Sequence, residues 1–189
     1  LPKKATPYDT LLDEYEVGMT VLDYDELFEG LRSRLVPLLA KIMEAKGKME
    51  IPSVPKDMTF SVDAQTRFCE KVSIAMGFDF SAGRMDASTH PFSAGLWMGD
   101  TRFTTRFDEK DPFSCLYAVM HETGHALYEQ GLSGEHNLTP RGSAISLGVH
   151  ESQSRFWENQ IGRTSEFWDV ALPWFKDEFP ESPDWTSEE

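Results

Sequence analysis

The stretch His121-Glu122-Thr123-Gly124-His125 constrains this chain more than any other. It lies in a segment where Phe113, Leu116, Tyr117, Met120 and Leu127 recur at helical spacing. Asp111-Pro112 offers a cap and a first-turn proline, and Gly131 a stop, so a helix is predicted from there to Gln130. Helical residues four apart are separated by about 40° around the axis, so His121 and His125 share a face and can reach one ion. Glu122 is rotated by roughly 100° from His121, which keeps it off the ion but near water on it. Zinc lowers the pKa of such water to about 7, and a neighbouring carboxylate can then take its proton. Gly124 sits mid-helix, where Gly costs about 1 kcal/mol relative to Ala. That cost points to close approach by another backbone.

Two histidines leave such a site one protein ligand short. Glu151, in His150-Glu151-Ser152-Gln153, is the candidate, on a further helix expected from Ser143 to Ile161, before Gly162. The intervening segment from Gly131 to Gly142 contains Gly, Pro and Asn and can reverse the chain. An antiparallel helix pair across the ion, within residues 111–162, is therefore expected. Gly148, one turn before Glu151, is expected to permit close packing. The competing reading of Glu151 is a surface carboxylate paired with Arg155 at i+4, worth only a few tenths of a kcal/mol. His150 is either a residue that orients the ligands or an ordinary histidine.

Elsewhere the pattern is mostly helical. Thr6-Pro7 predicts a short helix to about Glu16, and Asp23-Tyr24-Asp25-Glu26 resembles a capping box with Asp at the cap. Leu27, Phe28, Leu31, Leu35, Leu38, Leu39 and Ile42 then keep helical spacing to Gly47, with a bend expected at Pro37. A loop is expected over 51–59 and a helix over Val62–Met76, closed by Gly77. Extended segments are expected within 84–92 and 96–107, where Thr101 to Phe107 is rich in Thr and Phe. A helix interrupted by Pro173 fits 164–179, and the acidic tail from Pro180 to Glu189 reads as loose. Trp157, Trp168, Trp174 and Trp185 read as core or interface residues.

The net charge of −14 argues against a nucleic-acid partner, whose phosphates it would repel. With 40% hydrophobic and 26% charged residues, the 189-residue chain reads as one soluble globular domain. No apolar run is long enough to span a membrane, and no secretory leader pattern opens the chain. Cys69 and Cys115 lack metal-site spacing, and Cys115 reads as a buried small hydrophobe. A cytoplasmic setting is the default expectation. The chain lacks an initiator Met and is expected to be processed or cut from a longer protein.

Four segments together resemble the M32 metallocarboxypeptidases of the carboxypeptidase Taq type. They are His90-Pro91-Phe92, Asp100-Thr101-Arg102-Phe103-Thr104, His121 to His125, and His150 to Gln153. The similarity runs from about Tyr8 to Asn159. It implies a mainly α fold: a helical zincin-like core with a small antiparallel β-sheet beside the active-site helix. It also implies removal of single residues from peptide C-termini, zinc or cobalt as the ion, and a homodimeric cytosolic enzyme. Carried over by position, His121, His125 and Glu151 are metal ligands and Glu122 the general base. Two later family motifs are absent, so residues 1–189 are expected to form one catalytic-core region inside a larger enzyme.

The same site would also serve an endo- or oligopeptidase, or a non-catalytic, metal-stabilised interaction domain. The intact Glu122 argues against the last. Arg102, Arg106, Arg141 and Arg155 are the cations available to bind a substrate carboxylate. Thr104 fits a strand that could hydrogen-bond an extended peptide, and Arg102 fits equally well on a solvated sheet face. His90 is a candidate hydrogen-bond donor near the cleft.

Overall fold

The structure, a computed structural model, describes residues 6–48 and 54–188. Residues 1–5, the start of the expected 51–59 loop and Glu189 lie outside the described residues. The chain divides into two compact units, one of residues 1–53 with Ser146–Gly148, the other of Val54–Ile145 with Val149–Glu189.

In the first unit, α1 spans Pro7–Leu12 and α2 spans Val21–Lys46. α1 is shorter than expected. Thr6 caps α1 in a reciprocal box with Asp9, and Thr20 caps α2 in the same way with Asp23. Asp23 is thus the third helical residue rather than the cap, because Thr20 supplies the better-placed hydroxyl. Asp9 also accepts a 2.8 Å hydrogen bond from the Val21 amide, tying the start of α2 to α1. α2 continues through Pro37 to Lys46, and none of its residues is buried. Its stripe of Leu27, Leu31, Leu35, Leu38 and Ile42 is exposed.

The second unit is built around a central helix. α3 (Val62–Met76) and α4 (Pro112–Gln130) have the bounds that the sequence predicts. β1 (Gly83–Ala87), β2 (Phe92–Trp97) and β3 (Asp100–Thr105) form a sheet of order β1-β3-β2. β2 and β3 pair antiparallel, but β1 and β3 are parallel, so the sheet is mixed and not wholly antiparallel as expected. The chain reverses twice between β1 and β3, which returns β3 to the direction of β1. β3 takes the middle place because it carries the most buried side chains, with Phe103 fully inaccessible.

The helix expected from Ser143 starts later, as α5 (Leu147–Arg155), and passes into a π-helical turn over Phe156–Ile161. α6 spans Ser165–Glu178, capped by Thr164 and unbroken at Pro173. One core cluster joins α3, α4 and α6 through Phe60, Phe68, Leu116, Met120 and Phe175. A second joins α3, α4 and the sheet through Cys69, Phe78, Phe103, Cys115 and Val119. α4 is thus packed on two sides. The tail is not loose, since Trp185 packs against Phe113 and Phe175 and Asp184 pairs with Lys176. An indole buries enough apolar surface to hold a short polar segment in place. Among the described residues, no helix is long and apolar enough to cross a membrane.

Candidate metal centre

α4 owes its position to its start and its middle. Asp111 accepts a hydrogen bond from the Ser114 amide, and Pro112 occupies the first turn. Thr123 is fully buried and its hydroxyl meets that of Ser73 on α3 at 3.1 Å. At Gly124 the backbone of α5 comes in: an added Cβ would lie 2.7 Å from the Gln153 carbonyl oxygen and 2.7 Å from Ser154 Cα. The mid-helix glycine therefore marks a helix crossing. Gly148 is also closely packed, but against Glu16 rather than α4: an added Cβ would lie 2.7 Å from the Glu16 Oε2 that accepts from its amide at 3.0 Å.

This crossing brings the three expected ligands together. Glu151 Oε2 lies 3.6 Å from His121 Nε2 and 3.2 Å from His125 Nε2. The three donor atoms lie within 4.8 Å of one another. Two ligands each about 2.1 Å from a tetrahedral ion would sit roughly 3.4 Å apart, so the separations suit a metal. Glu151 also accepts from Arg155 Nε at 2.8 Å through its other oxygen. Glu151 thus faces both histidines through one oxygen and pairs with Arg155 through the other.

Charge states also suit a metal. Burial, with His150 and His121 nearby, pushes the His125 pKa down to about 4, so the ring is neutral at pH 7 with a lone pair to offer. Burial alone would raise the Glu151 carboxyl. Hydrogen bonds from Ser154 and Arg155, with the charges of His121 and Arg155, outweigh it and hold the group below its ordinary value. Metal ligands must be deprotonated in this way. Glu122 is almost wholly buried, and burial first, then the charge of Glu151, raises its pKa against the opposing His121 and His90.

Glu122 lines a cleft of about 420 Å³ together with His90, Tyr117, His121, Arg155 and Arg163. His90 is exposed at the cleft edge, with its Nδ1 2.7 Å from the Pro91 carbonyl oxygen. Thr104 is outside the cleft lining but supports this loop: its hydroxyl meets Ser88 at 2.6 Å, and Ser88 donates to the His90 carbonyl at 2.6 Å. Arg102 is not brought to the cleft. It forms two hydrogen bonds, of 2.8 and 2.9 Å, with Asp100 on its own strand. His150 stands behind His125, with the two Nδ1 atoms 2.6 Å apart.

Sequence reasoning missed Glu158 and Glu129. Glu158 Oε2 accepts from His121 Nδ1 at 2.9 Å and is held by Arg155 and Arg163. Glu129 pairs with His150 Nε2 at 2.8 Å. The available signals were spacings: Glu129 follows His125 by one helical turn, and Glu158 follows Glu151 by two.

The sequence profile of the Carboxypeptidase Taq (M32) metallopeptidase family matches residues 2–189. The chain belongs to the M32 family. It is 45% identical over 172 residues to Thermostable carboxypeptidase 1 of Thermus thermophilus, covering 91% of this chain and 33% of that relative. It is 39% identical over 170 residues to Carboxypeptidase 1 of Bacillus subtilis, covering 90% of this chain and 33% of that one. The M32 fold is shared with the crystal structure of the M32 carboxypeptidase from Deinococcus radiodurans R1. The TM-score is 0.86 and the identity 41%, over 93% of this chain and 35% of that chain. A Trypanosoma cruzi metallocarboxypeptidase 1 structure gives the same TM-score of 0.86 at 39% identity, over 96% of this chain and 36% of that one. This M32 chain thus spans about a third of the length of the curated relatives it matches.

Proposed function

We propose that this chain is the metal-binding and catalytic core of a zinc-dependent metallocarboxypeptidase. Convergence of His121 Nε2, His125 Nε2 and Glu151 Oε2 on one point beside a buried Glu122 carries the reading. His121, His125 and Glu151 would hold the ion, with zinc favoured by two nitrogens and one carboxylate oxygen and cobalt an acceptable substitute. Bound there, the ion would polarise the scissile carbonyl as a Lewis acid and lower the pKa of the attacking water. Glu122 accepts the proton of that attacking water and is placed to pass it on to the leaving amine. The cleft beside it holds the peptide, with His90 and Arg155 as candidate polar contacts at its wall. His150 orients His125.

The setting proposed is cytoplasmic and homodimeric, with peptides as substrates and no nucleic-acid partner. The exposed apolar stripe of α2 is compatible with self-association. An endo- or oligopeptidase would use the same ion and base. The two differ in whether a cation holds the substrate's terminal carboxylate, and Arg102 is committed to Asp100.

The proposed ligands and base, His121, Glu122, His125 and Glu151, all fall within the second compact unit. The 189-residue chain is therefore expected to bind zinc at one equivalent yet cleave peptides far more slowly than a full-length relative. Catalysis needs the scissile bond held within about 3–3.5 Å of the attacking atom, which takes a completed cleft. Assaying both zinc-loaded proteins on one peptide, with a free and an amidated C-terminus, checks this. Equal turnover by the two would show that the recognition groups lie within these residues. Equal cleavage of both peptides by the full-length enzyme would favour the endopeptidase.

A further inference from the structure

Behind His125 the structure holds a chain of three polar side chains. His125 Nδ1 lies 2.6 Å from His150 Nδ1, and His150 Nε2 lies 2.8 Å from Glu129 Oε1. His121 is supported differently, by direct contact of its Nδ1 with Glu158 at 2.9 Å. Two ring nitrogens at hydrogen-bond distance share one proton, so one must donate and the other accept. A carboxylate only accepts, so the Glu129 end requires His150 Nε2 to carry a hydrogen. A neutral His150 then has a bare Nδ1, which must accept from His125 Nδ1–H. That leaves the lone pair of His125 on Nε2, the atom that faces Glu151 at 3.2 Å. If His150 donated through Nδ1 instead, His125 would have to accept there, and its Nε2 would hold the hydrogen and could not ligate.

Given the metal-centre reading above, we infer that His150 and Glu129 act as a positioning relay that fixes the tautomer and orientation of His125 for metal binding. The relay is a built feature. His150 is packed against Tyr128, with ring centroids 4.7 Å apart, and its side chain is only 17% exposed. Glu129 lies over β2 at Gly95, where an added Cβ would fall 2.4 Å from Glu129 Oε2. The strand thus leaves room for the carboxylate. Such hydrogen-bond partners behind a metal histidine hold the ring in place and make it a better ligand.

The test separates a hydrogen-bond acceptor from a space-filling ring. Zinc affinity of the 189-residue chain is measured by chelator competition, with circular dichroism to confirm folding. His150→Gln keeps an oxygen that can accept from His125, whereas His150→Phe keeps the ring volume and removes the acceptor. Glu129→Gln keeps an acceptor for His150, and Glu129→Ala removes it. His150→Phe and Glu129→Ala are expected to weaken zinc binding by about 10–100-fold, and the two Gln variants by much less. Spectra of the cobalt-loaded chain should change in the same order. A His150→Phe or Glu129→Ala variant that binds zinc like the parent overturns the relay. So does a pattern in which each Gln variant is as weak as its partner. If the parent itself takes up no zinc, or His125→Ala leaves its affinity unchanged, the metal-centre reading fails first and the relay with it.

Discussion

Replacing Glu122 by Gln in a full-length enzyme containing this core is expected to lower kcat by about 10²–10⁴-fold, the usual contribution of a general base. Zinc affinity should hardly change. The carboxylate is buried beside the histidines and is not among the three groups that converge on one point. Glutamine has nearly the same shape and fills the same space, but it cannot take a proton from water. KM should therefore move little while kcat collapses, the pattern of an interaction used only in the transition state. Kinetics and zinc titration on the same preparation check both halves. Loss of zinc on this substitution would mean that Glu122 helps hold the ion, and the division of roles between Glu122 and Glu151 would have to be redrawn.

Gly124→Ala is expected to damage the protein although alanine is the better helix former. On an open helix the exchange gains about 1 kcal/mol. At Gly124 the new methyl would press on the Gln153 carbonyl and the Ser154 backbone, which cannot swing aside as a side chain tip can. Overpacking of this kind typically costs 1–3 kcal/mol. The net loss, up to about 2 kcal/mol, should appear as a fall in Tm of up to roughly 4–8 °C for a chain of this size. Glu151 lies just one turn before Ser154 on α5, so separating the helices also draws its carboxylate from the histidines and weakens zinc binding. Gly30 in α2 is the control, since nothing lies within 4 Å of its added Cβ. Gly30→Ala should leave Tm unchanged or raise it. Thermal melts and zinc titrations of the two variants decide the matter, and a Gly124→Ala chain that melts with Gly30→Ala and binds zinc normally would remove the helix crossing from the account.

What could be read before folding followed local rules. Asp111-Pro112, Gly77 and Gly131 bound α3 and α4 at the residues where the helices start and stop, because caps and stops act over a single turn. Spacing on α4 put His121 and His125 on one face, and the cost of Gly124 pointed to an approaching backbone. Errors arose where a choice was settled by partners far along the chain. The parallel pairing of β1 with β3 depends on which strand takes the buried middle, and alternation within a strand does not say. Trp185 ordered a tail that composition alone marks as loose, by packing on Phe113 and Phe175. The stripe on α2 has helical spacing and yet stays exposed, because periodicity reports a face and not what covers it. Glu129 and Glu158 went unseen because acidic residues are common, and only the fold shows which of them reach a histidine.

The most direct measurement is a crystal structure of the zinc-loaded chain with anomalous data collected across the zinc edge. One strong peak is expected, bound by His121 Nε2, His125 Nε2 and a Glu151 oxygen, each at about 2.0–2.2 Å. Glu122 should lie beside the peak without bonding to it. A peak held by other residues, a site where Glu151 has turned wholly to Arg155, or no ion between the two histidines would contradict the account.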